Sequence, residues 1–403
     1  MINFTKLLGG KPSVSDALKA VNKTGLDHAY SESNVPSPIV VFNITRRCNL
    51  DCRHCYLESE DKQYQGELSL DQIKKVVDSL SKMQVPVLLL SGGEPLARKD
   101  IFKIIDHAKA VNLRIGLSTN GTLITKQMAK DLKSAGVDYA GVSIDGLKDI
   151  HDKFRNLPGA FDRAVNGIIN SLEAGIKTGI RFTVSKVNYK DLPSVLDLCI
   201  KEQVPRFCMY HLVYTGRGEE LVAQDMDNGQ RRETAQLLID RAIKYNEKKY
   251  NFEMLTVDNH ADGVFIYNYL KKHAPGRGQE VLEIMKTHGG CSLGNKIVDI
   301  SPSGEVYACQ FWHKDSLGNV TEKDFLDIWY NKQNHKLCQF RDKTGLLKGK
   351  CGRCDFKAYC GGCRVRAQVV HNDFWQEDPC CYLTDDEIIF DTESRKLKVE
   401  SCK

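Results

Sequence analysis

The sequence predicts an α/β fold, a parallel sheet with helices outside it, followed by a small cysteine-rich region. Three observations carry this. Short apolar runs rich in β-branched residues recur at "PIVVFNIT", "PVLLLS", "RIGLST", "YAGVSI", "GIRFTVS" and "RFCMYHLV". Amphipathic helical patterns separate them, and strand–helix alternation builds a parallel sheet. The 15 cysteines are uneven: three lie at 48–55 and ten between 291 and 402.

Each run is near-continuously apolar, as strands buried on both faces must be. In the helix after the first run, Ile73, Val76, Val77, Leu80 and Met83 recur at helical spacing. Ser69 with Gln72 makes its capping box. A later helix runs from a Thr125 cap to a stop at Gly136, with Met128 and Leu132 inward. Polar motifs follow the strands: Cys48, then Gly92-Gly93-Glu94-Pro95, Ser118-Thr119-Asn120-Gly121, Ser143-Ile144-Asp145-Gly146 and Tyr210-His211. In parallel α/β folds the carboxyl ends of strands share one face, where sites form. Periodicity leaves an open doubly wound sheet and a barrel equally possible.

At 403 residues the chain can hold two or three domains. Its net charge of +5 permits an anionic small substrate but is no nucleic-acid footprint. No run reaches membrane-spanning length and the start lacks a signal-peptide core, so a cytoplasmic location is expected. A reducing cytosol does not keep disulfides, which points the cysteines to metal or redox chemistry. Cys199 and Cys208, in apolar runs, read as core packing.

Cys48, Cys52 and Cys55 are spaced C-x3-C-x2-C. Three thiolates on a four-iron cluster leave one iron with a vacant position; the alternative is zinc completed by His54. With Gly92-Gly93-Glu94-Pro95 after the second strand, this pattern resembles the radical S-adenosylmethionine (SAM) superfamily. The resemblance implies a partial (β/α)6 barrel over residues 37–255, after an N-terminal arm at 1–36. It also implies a 4Fe-4S cluster that binds SAM and generates a 5′-deoxyadenosyl radical. By resemblance Gly92, Gly93, Glu94, Ser118 and Ser143 contact SAM, and Arg155 pairs with its carboxylate. Lack of Cβ atoms at Gly92 and Gly93 would let backbone approach the methionine amino group, and Pro95 would hold Glu94 extended. No catalytic residue beyond the cluster is expected.

Further on, Cys291 and Cys309 precede C-x2-C-x5-C-x2-C at Cys351, Cys354, Cys360 and Cys363, then Cys380 and Cys381. Five residues between the pairs are too few for a usual zinc ribbon. The array resembles the SPASM extension of radical SAM enzymes, which implies one or two auxiliary 4Fe-4S clusters. After a linker at 256–287 it would span 288–390, with a tail at 391–403. By resemblance Cys351, Cys354, Cys360 and Cys381 hold one cluster, with Cys380 spare. Cys291, Cys309 and Cys363 supply three ligands for a second. Cys338 reads as helix packing and Cys402 as a tail thiol.

"YHLVYTGRG", "GKCGRCDFKAYCGGCRVRA" and "DPCCYLTDDE" are similar to the haem-modifying branch. The opening "FTKLLGGKPSVSDAL" resembles one line of that branch, and this resemblance implies removal of the two acetates of 12,18-didecarboxysirohaem to give Fe-coproporphyrin III. Loss of propionates in haem d1 synthesis, or peptide maturation, are the alternatives within the superfamily; a non-catalytic zinc-binding protein is the alternative outside it. An iron tetrapyrrole substrate, a flavodoxin- or ferredoxin-type electron donor and a monomer are expected. Arg217, Arg364 and Arg366 are candidates for substrate carboxylates, and His211 and His260 for the substrate iron.

Overall fold

A computed structural model describes residues 1–9, 35–288 and 290–390. The expected parts at 10–34 and 391–403, with Cys402, lie outside the described residues.

The described strands form one sheet of eleven. The six expected strands are β2 (Ile39–Asn43), β3 (Leu88–Ser91), β4 (Ile115–Thr119), β5 (Tyr139–Ser143), β6 (Lys177–Val184) and β7 (Arg206–His211). They lie side by side in sequence order, all parallel. A seventh parallel strand, β8 (Glu253–Val257), continues beyond β7. Its apolar signal is broken by Glu253, which is buried against Arg206 at 2.6 Å. β1 (Ile2–Asn3) pairs antiparallel with β8 and forms one sheet edge. At the other side β9 (Ile297–Ile300) runs parallel to β2, followed by antiparallel β10 (Glu305–Tyr307) and β11 (Ser316–Asn319). The two edges do not meet, so the barrel is partial, and the cysteine-rich region grows from its sheet.

Side chains alternate across a strand, and here the alternation divides core from site. Phe42, Leu90, Leu117, Val142, Phe182 and Phe207 are all buried in one core cluster with the covering helices. Residues of the other parity, Asn43, Ser91, Ser118, Ser143, Arg181, Tyr210 and Asp299, face inward and are polar. Ser69 caps the helix Leu70–Lys82 in the expected capping box, and Thr125 caps Lys126–Ser134.

Residues 256–287 are not a plain linker. They carry the helices Ala261–His273 and Pro275–His288. The first is buried along most of its length because the C-terminal region packs on it: Tyr382 donates to Asp262 at 2.7 Å, and Asn259 donates to the carbonyl of Cys380 at 2.9 Å.

Candidate functional site

The loop after β2 carries Cys48, Cys52 and Cys55, and its neighbours hold it by backbone. Gly93 N–H donates to Thr45 O and Glu94 N–H to Arg47 O, both at 2.8 Å. A Cβ on Gly92 would stand 2.2 Å from Thr45 O, and one on Gly93 2.3 Å from Arg47 O. The two glycines thus admit the cysteine loop itself, a different reason from the expected approach to SAM. Glu94 is extended before Pro95, as expected, but fully buried. Its carboxylate accepts from Leu96 N–H (3.1 Å), Thr119 Oγ1 (2.9 Å) and Asn120 N–H (2.8 Å). Burial raises its pKa to about 7. It ties β3 to β4.

Arg217 is a second clamp. Its Nε donates to Cys52 O (2.8 Å), its Nη2 to Ser59 O (3.1 Å), and its Nη1 pairs with Asp51 (2.9 Å). A Cβ at Gly216 would reach Cys55 O at 2.6 Å. The "TGRG" segment therefore grips the cysteine loop, and the Arg217 guanidinium is engaged there rather than free for a substrate carboxylate.

Every sulfur of the loop faces an N–H donor. Leu50 N–H lies 3.4 Å from Cys48 Sγ, Arg155 Nη1 3.5 Å from Cys52 Sγ, and Ser59 N–H 3.4 Å from Cys55 Sγ. Burial pushes the Cys48 and Cys52 thiols up. Behind them is a polar knot that joins Arg155 and His54 to Asp145, His151 and Thr183. Arg155 forms an ion pair with Asp145, whose Oδ1 accepts from Thr183 N–H at 2.7 Å. Asp145 N–H donates to His151 Nδ1 at 3.0 Å. His54 stacks on Phe154 at 4.5 Å, with its Nε2 3.8 Å from Asp145. Arg155 is thus already paired, although its buried Nε has no hydrogen-bond partner among the described residues.

Ser118 and Ser143 stand on the inner face, and Ser118 Oγ accepts from Arg181 Nη1 at 2.5 Å. Nearby, Asn43 and His313 both bind Asp299, at 2.8 and 3.0 Å, and Tyr56 donates to Asn43 at 2.9 Å. These residues were missed in sequence; Arg181 carried a signal, as a charge alternating with core residues inside a strand. His211 has core parity instead. It is 4% exposed and locked to Asp262 at 3.0 Å, so it is a strut and not a ligand open to a substrate iron. His260 is buried at the start of the helix Ala261–His273. Cys199 packs in the core as expected, whereas Cys208 is buried on the inner face.

In the C-terminal region Cys351, Cys354, Cys360 and Cys381 line one cavity. Cys380 turns away from it, its Sγ 3.0 Å from Arg231 Nη2 and 3.3 Å from Tyr214 Oη. Cys291, Cys309 and Cys363 gather instead on an apolar cluster with Trp312, Phe340 and Phe374. Cys291 N–H donates to Cys360 O at 2.9 Å, which joins the two sets. Arg364 and Arg366 are fully buried and are not substrate anchors. Arg364 donates to Phe374 O at 2.8 Å and Gln376 O at 2.6 Å. Arg366 grips Asp378 at 2.9 and 2.8 Å and the carbonyls of Leu212 (3.1 Å) and Asp258 (2.5 Å), tying this region to the ends of β7 and β8. Cys338 is half-buried on the helix His335–Arg341.

The comparisons with known proteins agree with this geometry. Residues 42–199 match the radical SAM superfamily, and 291–355 match an iron-sulfur cluster-binding domain, SPASM. The chain is 42% identical to Fe-coproporphyrin III synthase of Methanosarcina barkeri, over 96% of this chain and 99% of that one. The chain belongs to the radical SAM superfamily. Pre-heme d1 synthase of Dinoroseobacter shibae is 37% identical over 90% of this chain and 91% of its own, and AdoMet-dependent heme synthase of Methanosarcina barkeri 33% over 87% and 97%. Streptococcus suis SuiB bound to S-adenosylmethionine aligns with a TM-score of 0.68 at 20% identity, over 92% of this chain and 82% of that chain. That likeness shows the fold alone. The superfamily's cofactors are 4Fe-4S clusters and SAM, and the donor sets fit them: thiols backed by N–H groups suit anionic thiolates, and four cysteines around one cavity suit a cluster with full thiolate ligation. No helix of the described residues is long and apolar enough to cross a membrane.

Proposed function

We propose that this chain removes the two acetate side chains of 12,18-didecarboxysirohaem and yields Fe-coproporphyrin III. The near full-length 42% identity to Fe-coproporphyrin III synthase carries this reading. In it, Cys48, Cys52 and Cys55 hold the SAM-binding cluster, Cys351, Cys354, Cys360 and Cys381 an auxiliary cluster, and Cys291, Cys309 and Cys363 contribute to a second. The barrel spans 37–255 and the auxiliary region 288–390. Bound cluster and SAM supply reductive C–S cleavage and hydrogen abstraction from an unactivated carbon; the cofactor carries the hard chemistry and the protein positions it.

The chain's own residues do the positioning. Gly92, Gly93 and Arg217 fix the cysteine loop by its backbone. Arg155, held by Asp145, places a cation beside Cys52, where it offsets thiolate charge and presents Nε to a SAM carboxylate. Ser118 and Ser143 offer hydroxyls to SAM on the inner face. The ten cysteines assigned to clusters must stay out of disulfides, which suits a reducing, cytoplasmic compartment. A monomer fed by a flavodoxin or ferredoxin completes the reading.

The test is anaerobic incubation with reductant, SAM and 12,18-didecarboxysirohaem, followed by mass spectrometry. Loss of both acetates with formation of 5′-deoxyadenosine is expected. A product that keeps its acetates and loses propionates would replace this reading with the haem d1 reaction.

A further inference from the structure

Arg181 is the cation that the site described so far leaves unused. It lies on the inner face of β6, half-buried, between Ser143 of β5, its register partner, and Cys208 of β7. Its surroundings are neutral polar groups: Ser118, Tyr56, Tyr139, Cys208 and Tyr210. Among the described residues its side chain donates to the Ser118 hydroxyl, and no carboxylate stands within ion-pair distance. The other inner-face arginine, Arg206, is paired with Glu253 at 2.6 Å. The strand next door is shaped around the guanidinium. A Cβ at Gly141 would meet Arg181 Nε at 2.3 Å and Cζ at 2.8 Å. Gly141 thus lets the side chain lie across β5 toward Ser118.

A partly desolvated guanidinium without a counter-charge is costly unless a ligand supplies one. Its planar fork matches a carboxylate, which it can take in two parallel hydrogen bonds. Arg155, Arg217, Arg364 and Arg366 are each engaged by the chain itself. We propose that Arg181 is the substrate anchor of the barrel, binding a side-chain carboxylate of the tetrapyrrole. This rests on the tetrapyrrole reading above. SAM also carries a carboxylate, so the experiment separates the two sources.

The cluster-loaded protein, its Arg181→Gln and Arg181→Lys variants and Gly141→Ala are titrated anaerobically with Fe-coproporphyrin III by absorbance. SAM binding is measured in parallel by equilibrium dialysis. Arg181→Gln is expected to weaken tetrapyrrole binding about 10- to 100-fold, the range of a lost charge-assisted pair, and to weaken SAM binding by about 3-fold at most, through its hydrogen bond to Ser118. Arg181→Lys should recover part of the loss. Gly141→Ala, which keeps the cation but displaces it, should weaken tetrapyrrole binding too, and stands in if Arg181→Gln loses its iron or far-ultraviolet dichroism. Weakened SAM binding with intact tetrapyrrole binding would assign the cation to SAM and overturn the proposal. Equal loss of both ligands, or no loss of either, would also overturn it. If the unaltered chain fails to bind the tetrapyrrole, the functional reading falls and this proposal with it; binding by the unaltered chain with unchanged binding by the variants removes only the proposal.

Discussion

His151 shows how far one buried side chain can be moved from its solution behaviour. It is 1% exposed, and its Nδ1 accepts the Asp145 N–H, so the neutral ring fits and the charged ring does not. Burial first, and then Arg155, lower its pKa from 6.5 to about 4. The sign follows by linkage. Below pH 6.5 the unfolded chain binds a proton here that the folded chain refuses, so stability is present above that pH and is lost as pH falls toward 4. Between pH 7 and pH 5 this single group should remove about 2 kcal/mol. Urea unfolding at both pH values checks it against His151→Gln, which keeps an acceptor but no titration. The variant should show a smaller acid loss by that amount. Glu94, whose carboxyl is raised by burial, works in the opposite direction over the same range, which is why the difference between the two proteins is the quantity to read.

At the scale of elements, the junction between β3 and the cysteine loop governs the site. Gly92 has φ +141°, where a side chain is strained, and its place against Thr45 O leaves no room for a methyl. Gly92→Ala should therefore destabilise the chain by about 2–4 kcal/mol, through strain and displaced backbone together. Thermal unfolding and bound iron should fall in step, because the same two hydrogen bonds position the loop and close the fold. A variant that keeps the parent's melting temperature would remove the glycines from this role. The signature "GGEP" was legible in the sequence, but its reason was not. Alternation and motif spacing locate a turn after a strand; they do not say which distant carbonyl packs on it.

The whole molecule places two cysteine regions on one sheet. The C-terminal region enters by β9 beside β2 and is tied to β7 and β8 by Arg366. The two regions are still chemically separate, since each gathers its own thiols. Replacing Cys48, Cys52 and Cys55 together by Ala should abolish SAM cleavage and leave iron in the C-terminal region. Cys354→Ala should do the reverse, losing an auxiliary signal in electron paramagnetic resonance while reductive SAM cleavage persists. An iron-free but folded triple variant, or a Cys354→Ala protein with every parent signal, would break the assignment.

Sequence alone determined the parallel α/β class, six of the eight parallel strands, two helix caps and the two cysteine regions. These are local properties: period, capping chemistry and spacing act over a few residues. It also separated Cys381 from its neighbour only by resemblance, where the structure places Cys381 on the cavity and Cys380 against Arg231 and Tyr214. Tertiary structure alone decided what the cations do. Arg217, Arg364 and Arg366 look exposed in a sequence, because a charge is usually solvated. In the fold they are closed by carbonyls, Asp51 and Asp378, while Arg181, hidden in an apolar strand, is left facing the barrel. Which cation is closed off depends in large part on contacts more than a hundred residues apart, such as Arg217 with Asp51 and the Cys52 carbonyl or Arg366 with the Leu212 carbonyl, and no local pattern records them.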